Sequence, residues 1–285
     1  MGILIALIPA IAWGSIGLVS GKLGGTAHQQ TLGMTIGAMV FAVGVYFVYQ
    51  PALDAKLLIV GLVSGFFWTL GQNQQFKSMK LVGVSSTLPI STGLQLIANT
   101  LAGVLLFHEW TSARDIILGT IALVLLIIGV RFTTISDTKE TNSSSDSSKK
   151  AWTKALALST LGYALYTITV NASGVSALAV ILPQSAGMLA GALLFSWKKN
   201  IRSKYTVRNI LTGLIWGIGN IFMLLAMKKI GLAVSFSLSQ MGIIISTLGG
   251  IWLLGETKTK REIKYVIWGC LLVIVGGIVL GYLKA

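Results

Sequence analysis

Ten predominantly apolar stretches run through this chain, and at about 20 residues each they can cross a ~30 Å hydrocarbon layer as helices. Lipid offers no partner to backbone N–H and C=O groups, so a spanning segment must satisfy them itself, as a helix does. The stretches lie near 2–21, 31–50, 57–76, 83–107, 115–133, 154–171, 177–197, 207–227, 232–254 and 263–283. The expected fold class is therefore all-α, a polytopic membrane protein with ten transmembrane helices. A composition of 54% hydrophobic and 11% charged residues excludes an ordinary soluble domain, in which about a quarter of residues are charged. No basic stretch precedes Lys22, so the first segment is expected to remain as a span and not to act as a cleaved leader.

The net charge of +14 has to be read through topology. When connections are assigned alternately to the two membrane faces, all but five of the 22 Lys and Arg residues collect on one face. The exceptions are Lys56, Arg114, Lys228, Lys229 and Lys284. The positive-inside rule makes the basic face cytoplasmic and both termini extracellular. Membrane lipids account for such a surface, and no nucleic acid is implied. The single cysteine, Cys270, sits in an apolar segment and reads as a small buried hydrophobe, with no disulfide, cofactor or metal site implied.

The polar stretch "TTISDTKETNSSSDSSKK" (133–150) reads as a hydrated linker and divides ten segments into five and five. The halves resemble each other. "QTLGMTIGAMVF" from Gln30 aligns with "QSAGMLAGALLF" from Gln184. Gly65, Trp68, Gly71, Lys80 and Gly83 fall opposite Gly213, Trp216, Gly219, Lys228 and Gly231, and Glu109 falls over Glu256. An odd number of crossings per copy inverts the second copy. The expected organisation is two inverted five-helix repeats, 1–133 and 154–285, joined by a cytoplasmic linker at 134–153. Glycines four apart, such as Gly33/Gly37, Gly61/Gly65 and Gly187/Gly191, predict close helix packing.

No Asp or Glu lies in the middle of any segment, which removes the usual intramembrane proton carrier. Glu109, Glu256 and His108 lie at segment ends; interfacial hydrogen bonding is their simpler role and ion coupling the alternative. The interior polar set is uncharged and suits a neutral, polyhydroxylated ligand. "WTLGQNQQF" (68–76) concentrates it: Trp68, Gln72 and Gln75, spaced i, i+4, i+7, share a helix face, and Trp216 and Asn220 repeat the first pair. A tryptophan face covering the C–H face of a sugar, with an amide one turn on for its hydroxyls, is one reading; packing or an interfacial aromatic belt is the other. Asn73 and Gln74 point elsewhere, to neighbouring helices or water. No His/Cys/Asp/Glu constellation suggests an enzyme.

"LIPAIAWGSIGLV", "LPISTGLQLIANTLAGVLLFHEW" (88–110), "GLIWGIGNIFML" (213–224) and "SFSLSQMGIIISTLGGIWLLGE" (235–256) closely resemble the glucose/ribose porter family of bacterial glucose uptake proteins, within the drug/metabolite transporter superfamily. The resemblance extends over all ten segments. It implies a secondary transporter importing a monosaccharide, glucose or else ribose, across the bacterial plasma membrane, with protons as the coupling ion. Facilitated diffusion of sugar, or export of small metabolites or amino acids, are the alternatives. Family motifs add Gln184 of "LPQSAGM" and Ser239 and Gln240 of "SLSQMG" to the substrate-binding candidates Trp68, Gln72, Gln75, Trp216 and Asn220. Two departures bear on the sugar: "GQNQQ" stands where the family tends to read "GQANQ", and Met227-Lys228 where relatives carry Gln-Pro.

Overall fold

The structure is a computed structural model that describes residues 2–108, 110–135, 146–230, 235 and 238–283. Among them there is no strand. The helices, in chain order, are α1 (Gly2–Leu23), α2 (Ala27–Tyr49), α3 (Ala55–Val82), α4 (Val84–Phe107), α5 (Ala113–Thr133), α6 (Asp146–Ser173), α7 (Ile181–Phe195), the short α8 (Lys204–Arg208), α9 (Ile210–Ile230), α10 (Gly242–Leu253) and α11 (Lys260–Leu283). Eight spans among the described residues are long and apolar enough to cross a membrane, α8 and α9 counting as one; α7 and α10 are shorter apolar helices. The chain is a multi-pass membrane protein.

Local chemistry explains where helices start and stop. Thr26 and Gln29 form a reciprocal capping box that opens α2, and Ser112 with Asp115 does the same for α5. Thr259 and Glu262 satisfy each other's backbone N–H at the start of α11. Gly83, at φ +89°, is the whole of the break between α3 and α4, a backbone state that a side chain would strain. Pro9 and Pro89 lie inside α1 and α4 without ending them.

The boundaries differ from expectation at instructive places. Helix α6 begins at Asp146, inside the stretch that reads as linker, because Ser and Lys in a row do not forbid a helix. Helix α3 runs on to Val82, which puts the amide-rich stretch of 72–75 in helix and not at its frayed end.

Contacts divide the chain into two compact units, Val19–Lys80 with Thr153–Gly217, and Met1–Leu18 with Leu81–Trp152 and Ile218–Ala285. Each unit takes segments from both halves of the sequence. In the first, which contains Trp68, α2 packs on α7 and α8. The glycine pairs set that packing. A Cβ on Gly33 or Gly37 would run into the carbonyls of Thr206 or Ile210, and one on Gly65 or Gly213 into those of Gln184 or Met34. Lipid tails are as apolar as leucine, so close backbone approach and the van der Waals contact it permits hold such helices together.

In the second unit α11 lies along α5, with α4 and α10 against them. Leu96, Leu126, Ile243, Val266, Cys270 and Val273 form its core, and Cys270 is buried as a hydrophobe there. Gly129 and Gly269 let the α5 and α11 backbones touch, since a Cβ on either would lie within 2.8 Å of the other's carbonyl oxygen.

Candidate functional site

In the first unit α3, α6 and α9 bring Trp68, Gln72, Gln75 and Trp216 together. Trp68 is 4% exposed and Trp216 8%, so neither belongs to a lipid-facing belt; Trp197 and Trp252, more than 70% exposed, have that character. The Trp68 and Trp216 rings meet edge to face, with centroids 5.5 Å apart at 62°. Tyr163 of α6 also meets Trp68 edge to face, at 6.3 Å and 81°. Its ring also lies over Gly71, where a Cβ would sit about 3 Å from three ring carbons.

The Tyr163 hydroxyl donates to Gln72 Oε1 at 2.8 Å and lies 3.3 Å from Gln75 Oε1, and Gln72 Nε2 donates to Gln75 Oε1 at 3.3 Å. Gln72 and Gln75 thus share a helix face as their spacing required, and they converge on one phenol. Sequence reasoning missed Tyr163. The available signal was an aromatic in the first segment of the second half, one residue after Gly162 in an otherwise apolar run.

Gln184 is placed by Pro183 and the small residues of α3. The α7 backbone at 183–188 lies against Gly61 and Gly65, and Thr69 Oγ1 donates to the Met188 carbonyl at 2.8 Å. The Gln184 side chain, 4% exposed, lies beside Tyr166, yet its Nε2 has no acceptor within hydrogen-bonding distance among the described residues. The hydroxyl of Ser185 is equally buried and unsatisfied. Two polar groups without partners in an apolar setting cost several kcal/mol, about the worth of the hydrogen bonds a bound ligand could supply.

Asn73 turns away from this cluster. Its Nδ2 donates to Thr31 Oγ1 at 3.2 Å and lies 3.4 Å from His28 Nδ1. His28, in the first turn of α2, is half-buried. Gln74 is also half-buried.

The second unit holds the remaining candidates. Ser239 and Gln240 are buried, Gln240 beside Gly277, and Asn220 is half-buried. Glu256 caps α4: its carboxylate accepts from Val84 N–H at 2.5 Å, from Ser85 N–H at 2.9 Å and from the Ser85 hydroxyl. Negative charge at a helix N-terminus is favourable, and three donors hold the carboxylate. Lys258 Nζ donates to Ser86 Oγ at 2.9 Å from the same connection. His108 is exposed in a left-handed C-cap of α4, and Glu109 lies outside the described residues. Among the described residues no group of His, Cys, Asp and Glu could hold a metal ion.

A family model described as a sugar transport protein matches residues 4–283. A protein of Enterococcus faecalis named for sugar uptake is 60% identical over 289 residues, covering all of both chains. A protein of Lactiplantibacillus plantarum, also named for sugar uptake, is 58% identical over 286 residues, again covering both chains completely. A Bacillus cereus protein named for glucose uptake is 47% identical over 285 residues and all of both chains. One solved crystal structure, 16% identical, superposes with a TM-score of 0.63 over 100% of this chain and 99% of that one, a likeness of fold.

Proposed function

We propose that this chain, which belongs to the sugar transport protein family, imports a monosaccharide across the bacterial plasma membrane by alternating access, glucose being the first candidate and ribose the second. The family is one of transporters and not of enzymes. The observation that carries the reading is the buried, uncharged cluster of Trp68, Trp216, Tyr163, Gln72 and Gln75, with the Gln184 Nε2 of the adjoining helix lacking an acceptor among the described residues. Aromatic faces suit the C–H side of a sugar and amides its hydroxyl rim, while a carboxylate would favour a cation. The relatives named for sugar and glucose uptake support the same substrate class.

The proposed substrate-binding set in the first unit is Trp68, Gln72, Gln75, Gln184 and Trp216; Asn220, Ser239 and Gln240 are separate candidates within the second unit. A sugar ring held between two aromatic faces requires about 7–8 Å between them, twice an ordinary carbon–carbon contact. Trp68 and Trp216, at 5.5 Å, are closed on each other, so loading requires the pair to part.

The reading of two inverted repeats has support in matched contacts. Gly71, in the third helix of the first half, carries Tyr163 from the first helix of the second half; its counterpart Gly219 carries Trp13 from the first helix of the first half. Gly65 likewise abuts α7 at Gln184 and Met188, and its counterpart Gly213 abuts α2 at Met34 and Ala38. Such exchange is what two oppositely inserted copies produce. Both termini outside and the 134–153 linker in the cytoplasm complete the proposed topology.

Glu256 serves as a helix cap in this reading, and Glu109 and His108 stay as candidates for proton coupling. Uptake of labelled glucose and ribose into vesicles, with and without an imposed pH gradient, tests substrate and coupling together. Accumulation that follows the gradient means symport, equilibration means uniport, and no entry of either sugar sinks the proposal. Trp216→Phe and Asn220→Ala are expected to lower uptake at unchanged membrane abundance; normal uptake in both would remove the site.

A further inference from the structure

Phe132 at the end of α5 and Arg261, Lys264, Tyr265 and Trp268 on the first turns of α11 line a cavity of about 370 Å³ that the sugar site does not use. Its wall is aromatic and its charge is cationic. Phe132 and Tyr265 stack edge to face at 5.7 Å, and the Arg261 guanidinium lies 5.6 Å over the Tyr265 ring, which fixes one cation at the rim. Lys264, three residues on, presents the second cation from the same helix face. The nearest acid in sequence, Glu262, is buried, and its carboxylate accepts from the Thr259 backbone N–H.

Below the cations the surface becomes apolar along both helices. Leu271 and Val275 continue the Lys264–Trp268 face of α11, and Ile128 and Val124 continue the Phe132 face of α5; all four are exposed. Trp268, 53% exposed, stands at the junction, the position of an interfacial tryptophan. The connection carrying Lys258, Lys260, Arg261 and Lys264 belongs to the basic face of the sequence.

We propose that this cavity binds the phosphate headgroup of an anionic phospholipid, with Arg261 and Lys264 on the phosphate and the acyl chains along the α5–α11 groove. Paired cations alone would suit any phosphate. The apolar track running away from them along both helices favours a lipid over a soluble anion, because only a lipid has tails to occupy it.

Native mass spectrometry of the purified full chain, titrated with phosphatidylglycerol or phosphatidylcholine, tests this. Phosphatidylglycerol is expected to be retained preferentially. Removing both charges in Arg261→Gln/Lys264→Gln is expected to weaken that retention by about thirtyfold. Lys198→Gln/Lys199→Gln, which removes the same charge from another basic loop, is expected to retain the lipid as the unaltered chain does. Equal retention of phosphatidylcholine overturns the proposal, as does an Arg261→Gln/Lys264→Gln chain that binds phosphatidylglycerol normally. Displacement of the lipid by millimolar glycerol phosphate or inorganic phosphate overturns it too, by making the ligand a soluble anion. Lys264→Gln alone leaves the Arg261–Tyr265 stack in place, and its expected loss of about fivefold checks that weakened retention reflects charge and not misfolding.

Discussion

Gln30 and Gln184 hold matched positions in the second helix of each half, and they end in opposite states. Gln30 Nε2 donates to the Ser20 carbonyl at 2.8 Å and is fully engaged in packing α2 against α1. Gln184 Nε2, also buried, has no acceptor among the described residues. The same divergence appears one helix later: Gly71 carries a tyrosine whose hydroxyl binds Gln72, and Gly219 carries a tryptophan, whose indole can only donate. The two halves share a steric frame of glycines and aromatics and differ in what the polar groups do. A frame can be copied, because it is needed twice; a binding site has to be asymmetric to hold an asymmetric sugar.

The frame is where substitution does most. Gly65→Leu and Gly213→Leu each drive a side chain into a facing backbone, at Gln184 or Met34, where no rotamer relieves the clash. Overpacking of this kind costs about 1–3 kcal/mol even in adaptable cores, and here the obstacle is backbone. Both variants are expected to lose most folded protein, read as monodisperse yield in detergent. If one tolerates leucine and the other does not, the halves do not share their frame and the inverted-repeat reading fails.

The glutamine pair separates stability from transport. Gln30→Leu removes a satisfied buried donor and leaves the Ser20 carbonyl without it, an expected loss of about 1–3 kcal/mol in thermal denaturation. Gln184→Leu removes an Nε2 that has no acceptor among the described residues, so it is expected to cost the fold less than Gln30→Leu while sugar uptake falls severalfold. Should Gln184→Leu transport normally, the amide is not a ligand group, and the binding set contracts to the aromatic cluster.

These differences explain how far a sequence of this kind can be read. Apolar length sets the spans, and paired glycines four apart announce contact, because in lipid both requirements act residue by residue. Aligning the two halves pairs residues in sequence, but does not tell that Gly71 meets Tyr163, since such a pairing says nothing about which helices touch. The burial of Trp68 and Trp216 removes the interfacial-belt alternative that the sequence left open, and their closure on each other depends on conformation, which no spacing encodes. Glu256 is visible as a carboxylate at a helix end; the α4 N-terminus that it caps is 171 residues away in sequence at Ser85.

The smallest expected effect concerns the residue that departs from the family pattern. The resemblance to the glucose/ribose porters leads one to expect alanine where Asn73 stands, and an extra amide beside Gln72 invites the idea of altered sugar selectivity. Its geometry argues otherwise: it donates across to Thr31 on α2, while Gln72 and Gln75 face Tyr163. Interhelical hydrogen bonds in membranes average about 0.6 kcal/mol, so Asn73→Ala is expected to lower the melting temperature only slightly. The ratio of glucose to ribose uptake is expected to stay the same, because no group facing the aromatic cluster has changed. A shift in that ratio would mean that α2 and α3 open on loading and bring Asn73 to the sugar, and the boundary of the site would move one helix outward.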